Sequence, residues 1–299
     1  MTIPPVDELI THHHRTVNGL EVHLVEAGEG PLVVLLHGFP DFWYSWRHQI
    51  PALAAAGFRV LAPDLRGYAD TEAPRGVTAY RLEHLVADVV DLITVAGEQR
   101  AHLVGHDWGG IVAWTAAAAH PERFDRLAVC NIPHPSAFRR ALRRPSQLAR
   151  SWYTYAFQVP IAPELALRAL HGRLLRRVLR AGATRRDSFS DADLDRYTHA
   201  LLDRGDLTGP VNYYRAVGRT PLRWPFASQG PGAPHPLAVR QPVLVQWGER
   251  DHALIPQLAE PPRDLVPDAR TIRYPDAGHW VHLDEAEAVN TELLRFLAE

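Results

Sequence analysis

The sequence predicts an α/β protein: a mostly parallel central sheet flanked by helices, interrupted by an inserted all-helical cap. Three observations carry this. Short apolar runs alternate with helix-like stretches up to residue 131 and resume after residue 242, the pattern of a parallel sheet with helices on both faces. Between them, residues 136–217 hold no convincing strand. The length, 299 residues, suits one large domain carrying such an insertion. The sheet domain is expected over 1–134 and 226–299, and the cap over 135–225.

Taken in order, residues 1–11 read as a loose lead-in. His12, His13 and His14 are adjacent, so a strand cannot turn all three one way, and they read as a solvated strand start rather than a metal site. Asn18-Gly19 between two β-rich runs signals a hairpin over 16–25. The run PLVVLL at 31–36 reads as a buried strand ending in His37-Gly38-Phe39-Pro40. A helix follows from 43 to 56, a strand over 59–63, and an amphipathic helix over 80–96 with Leu82, Leu85, Val89, Leu92 and Ile93 on one face. A strand at 102–104, an Ala-rich helix and a strand at 126–131 complete this half. Cap helices are expected over 137–143, 147–157, 163–181, 191–202 and 210–217. A Pro/Gly-rich return covers 218–242, then come strands at 242–247 and 271–274 and a closing helix at 284–297.

Composition narrows the class. Hydrophobic content is 46% and the formal net charge is −2, giving no reason to expect nucleic acid or an anionic membrane as partner. All 32 basic residues are arginine, and the many in the cap read as solvated helix faces. The single cysteine, Cys130, lies in the apolar run LAVC and reads as a core residue. No apolar signal segment and no run of 18 apolar residues is present, which predicts a cytoplasmic protein, monomer or homodimer.

The chemistry centres on Gly105-His106-Asp107-Trp108-Gly109-Gly110. Strand, glycine-flanked turn and helix form the context of a nucleophile elbow, with aspartate where serine is often found. Gly105 and Gly109 leave room for the crowded turn, and a helix N-terminus favours an ionised carboxylate. The chain order nucleophile, acid, histidine assigns Asp107, Asp251 and His279, the last two in loops after strands. Glu249, His252 and His106 compete with them. The expected oxyanion hole is the backbone N–H of Trp108 and of Phe39. A cis Phe39–Pro40 bond fits that tight turn. A carboxylate nucleophile suits displacement at saturated carbon, giving an ester that water, activated by His279, then cleaves. An epoxide oxygen leaving group wants a proton donor, whereas a halide wants N–H donors.

At this point a resemblance is plain from about residue 12 to the end. HGFPDFWYSWRHQIPALAAAGFRV, APDLRGY, GHDWGG, NIPHP, Tyr-x-x-x-Phe-Gln-x-Pro, NYYRA, WGERD and DAGHW resemble the epoxide hydrolases of the α/β-hydrolase fold. The resemblance implies an aspartate nucleophile, a His–acid pair, and two cap tyrosines that hydrogen-bond the epoxide oxygen. By motif position these are Tyr153 and Tyr214, with Tyr155 and Tyr213 as packing neighbours. His37, Pro40, Trp108 and Trp152 are expected to border a small hydrophobic epoxide, with Phe157 and Trp224 adding apolar surface. In some relatives the acid follows the preceding strand, but Asn131 stands there. Tyr68-Ala69-Asp70-Thr71 departs from the family loop, which often carries a second Gly and a Ser. No metal and no cofactor is expected. Haloalkane or haloacid dehalogenases resemble the sheet domain and share Trp108, so only the cap tyrosines separate them. A non-catalytic ligand-binding protein on this scaffold is the third reading, and the intact triad argues against it.

Overall fold

The computed structural model describes residues 4–219 and 235–299. Its eight strands are β1 (Thr11–Val17), β2 (Leu20–Ala27), β3 (Leu32–Leu36), β4 (Arg59–Pro63), β5 (Ala101–His106), β6 (Phe124–Cys130), β7 (Val243–Gly248) and β8 (Ala269–Tyr274). They form one sheet in the order β1-β2-β4-β3-β5-β6-β7-β8. The five pairings from β4 to β8 are parallel, while β1–β2 and β2–β4 are antiparallel. The unbroken apolar runs explain this. Every residue of β3 and of β7 is buried, as expected for strands covered on both faces. The hairpin turn Asn18-Gly19 has φ of 48° and 76°, both positive as a two-residue type I′ turn requires. β1 is the edge strand, largely exposed.

Helices Gln49–Ala55, Leu82–Val95, Asp107–Ala119 and Ala286–Ala298 flank the sheet. Among the described residues between β6 and β7 lie six α-helices: Pro135–Ala141, Pro145–Arg150, Trp152–Ala156, Ala162–Gly182, Asp191–Thr198 and Thr208–Arg219. Three expected helices prove interrupted. The one over 43–56 begins as a 3-10 turn, Trp43–Trp46, before Gln49–Ala55. The one over 147–157 breaks at Ser151, where ψ is 10°. The one over 163–181 breaks at Ala169–Gly172, where Leu170, His171 and Gly172 all have positive φ. Leucines at 3–4 residue spacing continue through that break, so periodicity alone hides it. Asp191–Thr198 starts with a capping box between Ser190 and Asp193 and widens into a π turn, His199–Arg204. Most of the return stretch, with Trp224 and the 225/226 boundary, lies outside the described residues.

Cys130 is buried in the core, where burial pushes its thiol up to about 12, so it is inert packing. No helix among the described residues is long and apolar enough to cross a membrane.

The parallel pairing brings the C-terminal ends of β3, β5, β7 and β8 to one edge, where such sheets place their sites. The elbow helix reaches β3 because its glycines lack Cβ atoms. A Cβ on Gly105 would lie 2.6 Å from the Gly109 carbonyl oxygen, and one on Gly109 would lie 2.2 Å from that of Leu36. Gly109→Ala should therefore destabilise the fold by about 1–3 kcal/mol through overpacking. The measure is a lower urea midpoint at unchanged slope; an unshifted midpoint would show that the contact can relax.

Candidate active site

Asp107 sits where β5 becomes the Asp107–Ala119 helix, with φ of 48°. A left-handed aspartate at this bend presents its carboxylate above the sheet edge. Oδ1 accepts the Phe39 backbone N–H at 2.8 Å. Oδ2 faces His279 Nε2 at 3.6 Å, an ion-pair distance longer than a hydrogen bond. On the far side of the ring, His279 Nδ1 donates to Asp251 Oδ2 at 2.7 Å. Asp251 is buried and fully engaged: Asn131 Nδ2 donates to Oδ2 at 2.9 Å, and the Ala253 and Leu254 N–H groups donate to Oδ1 at 2.7 and 3.0 Å. The three expected residues thus form one line, carboxylate, imidazole, carboxylate.

Two backbone donors flank Asp107. The Phe39 N–H is one, and the Phe39–Pro40 bond beside it is cis, as expected. The other is Trp108, in the first helical turn, whose N–H has no intrahelical acceptor. From the cap, Tyr153 and Tyr214 stack edge-on with ring centroids 5.9 Å apart. Tyr214 also meets Trp108 at 5.0 Å, Phe39 at 5.3 Å and Phe157 at 4.8 Å. An aromatic wall therefore stands over the carboxylate.

The chain matches the family described as alpha/beta hydrolase fold over residues 31–286. It is 36% identical to "Epoxide hydrolase 2" of Caenorhabditis elegans, over 96% of this chain and 80% of that protein. It is 37% identical to "Epoxide hydrolase 4" of Mus musculus, over 94% of this chain and 77% of that protein. The crystal structure of a Bacillus megaterium epoxide hydrolase in complex with an inhibitor superposes with a TM-score of 0.87 at 29% identity, covering 96% of this chain and 100% of that one. The chain belongs to the epoxide hydrolases of the α/β-hydrolase fold.

In this epoxide hydrolase, burial works against a charged His279, but the Asp251 and Asp107 carboxylates outweigh it and hold the imidazole up at about 10. Burial likewise raises Asp107, yet the facing His279, the His106 charge and the Phe39 N–H bring its carboxyl below the ordinary range. The resting site is thus an imidazolium between two carboxylates. Both phenols are raised, first by burial and then by the Asp107 charge, so at neutral pH they stay protonated.

Several expected residues take other places. His37 is fully buried; Nε2 accepts the Leu65 N–H at 2.9 Å, leaving Nδ1–H to donate to the Gly38 carbonyl at 3.0 Å. Both ring nitrogens hold backbone, so His37 shapes the loop instead of contacting substrate. Pro40 is buried within the same loop. Trp152 is 67% exposed, because the neighbouring helical position, Tyr153, is the one turned inward. Tyr155 is also exposed, at 59%, and packs against nothing central; Tyr213 is buried, its hydroxyl donating to the Arg66 carbonyl at 3.0 Å. Glu249 pairs with Arg273 and His252 is exposed, so neither stands in the line of Asp107, His279 and Asp251. His106 lies beneath His279, with Nε2 3.0 Å from the His279 carbonyl.

Three supporting residues carried no clear sequence signal. Asn131, weighed only as an acid position, donates to Asp251 and also accepts the Gly248 N–H at 2.7 Å. Asp284 gathers the Gly278 N–H at 2.8 Å, the Thr184 N–H and hydroxyl at 3.0 Å each, and the Ser188 hydroxyl at 2.5 Å. It fastens the loop before His279 to residues 184–188, while the His279 N–H donates to the Gly182 carbonyl at 2.8 Å. Asp41, fully buried, accepts the Tyr197 hydroxyl at 2.6 Å and the Trp280 indole at 2.8 Å.

An NMR titration should place the His279 midpoint near 10 in the intact chain and lower in Asp107→Asn, which removes one carboxylate. Because this value lies above the ordinary 6.5, the ion pair's stabilisation is complete below about 6.5 and lost as pH rises through about 10. An ordinary midpoint in the intact chain would refute the paired resting state.

Proposed function

We propose that this chain hydrolyses a small hydrophobic epoxide to a vicinal diol through an ester on Asp107. The observation that carries the reading is the placement of Asp107: an ionised carboxylate on an elbow, beneath two phenols that feel its charge. Asp107 attacks one ring carbon, the carbon–oxygen bond breaks, and Tyr153 or Tyr214 donates a proton to the departing oxygen. Esterification removes the negative charge on Asp107. One of the two carboxylates that held the His279 proton is then gone, so the proton can return to the tyrosinate. The neutral imidazole, still oriented by Asp251, takes a proton from water, and hydroxide attacks the Asp107 carbonyl carbon. The N–H groups of Phe39 and Trp108 receive the oxyanion. Collapse releases the diol, which takes a proton from His279, and the new Asp107 carboxyl then passes its proton to His279, restoring the resting pair. None of these steps calls for a metal or redox cofactor.

The aromatic lining of Phe39, Trp108, Phe157 and the two tyrosines supports a hydrophobic substrate. It also favours an epoxide over a halide leaving group, since phenols supply the proton that an alkoxide needs.

A single turnover in isotopically labelled water should give unlabelled diol, with the label retained in Asp107. His279→Gln should accumulate a protein adduct of substrate mass, seen by intact mass spectrometry. Label appearing directly in the first diol would defeat the ester route. Tyr153→Phe combined with Tyr214→Phe should lower epoxide kcat/KM by about 10²–10⁴-fold or more. If the double variant keeps its activity, or releases halide from haloalkanes as well as the unaltered chain does, the dehalogenase reading takes its place.

A further inference from the structure

The three histidines that open β1 are not equivalent. The β1–β2 register sets His14 directly opposite His23. Strand alternation puts His12 on that same face and His13 on the other, where it meets Glu26 at 3.2 Å. His12 Nδ1 lies 2.9 Å from His23 Nε2, with the rings stacked at 5.1 Å. The His14 ring is 5.2 Å from that of His23.

His23 is buried, and its Nδ1 bonds Asp64 Oδ2 at 2.7 Å. A carboxylate only accepts, so Nδ1 carries the proton and Nε2 keeps a lone pair aimed outward at His12. This carboxylate–histidine pairing fixes ring and tautomer in the way that metal sites use to orient a ligand. Because His23 Nε2 can only accept, the 2.9 Å contact makes His12 Nδ1–H the donor in the metal-free chain, and an ion taking that place would shift the His12 proton to its Nε2. The Arg196 charge, which bears on His12, is offset by two bonds to Asp7, at 2.7 and 2.8 Å. Deeper in, Asp64 Oδ1 accepts the Trp43 N–H at 2.9 Å and Asp70 pairs with Arg204 at 2.5 Å, so that inner grouping is complete without an ion.

We propose that His12, His14 and His23 bind a divalent transition-metal ion of the zinc class. His23 Nε2 is the anchored ligand, His12 Nδ1 the second, and the exposed His14 turns in as the third. Water completes a tetrahedron, and imidazole ligands suit zinc, copper or nickel over magnesium or calcium. The ion would tie the exposed edge strand to the sheet, and it takes no part in the chemistry at Asp107.

The test is isothermal titration of the untagged full chain with zinc chloride. One equivalent should bind, and His12→Ala and His14→Ala should each weaken binding about ten-fold or more. His13→Ala, on the opposite face, should bind like the unaltered chain. Zinc should raise the thermal midpoint of the unaltered chain and of His13→Ala, but not of His12→Ala. All three positions are on the exposed edge strand, so the variants should fold, which circular dichroism checks. No zinc binding, binding insensitive to His12→Ala and His14→Ala, or an equal loss in His13→Ala would overturn the proposal.

Discussion

One aspartate in a left-handed conformation anchors the molecule. Such a backbone costs an L-residue on the order of 1–3 kcal/mol, and it persists only where the surroundings over-determine it. Here they do: β5 fixes the entry, the elbow helix fixes the exit, and two flanking glycines let helix and strands close on each other. The same bend places the carboxylate at a helix N-terminus, where the peptide dipoles favour its charge. Straightening it would remove the Phe39 contact and the alignment with His279 together.

Around that bend the charges differ in how firmly they are held. Asp251 is saturated with donors and shielded from water, so it holds and orients without reacting. Asp107 has one oxygen held by a backbone donor and one facing the imidazole, so it is the carboxylate free to change its bonding. The aromatic wall excludes water and lowers the local dielectric, which strengthens each of these interactions and keeps both phenols protonated.

Much of this was legible in the residues themselves. Apolar runs announced the central strands, Asn18-Gly19 announced the hairpin, and the elbow announced its own geometry, because each depends on local sequence. Chain position alone put Asp107, Asp251 and His279 in order, and the structure brings the three into one line. The features that escaped notice depend on partners distant in sequence. Nothing near Asp284 says that its carboxylate will meet Thr184 and Ser188, and nothing near His37 says that its ring will be held by Leu65. The inward choice of Tyr153 over Trp152 follows from helix phase, which the break at Ser151 resets. Alternation alone split the three histidines between two faces, but only the β1–β2 register shows that His12 and His14 share theirs with His23.

The seam between insertion and sheet has a consequence of its own. Asp41 joins Tyr197 to Trp280, the residue after His279, and Asp284 joins Thr184 and Ser188 to the loop just before it. His279 is thus registered against the insertion on both sides, through charge-assisted hydrogen bonds worth about 1.5–3 kcal/mol each. The two modules cannot drift independently. A lineage that remodels the insertion must preserve Thr184, Ser188 and Tyr197 or shift His279 along with it, which confines tolerated variation to the stretches between those ties.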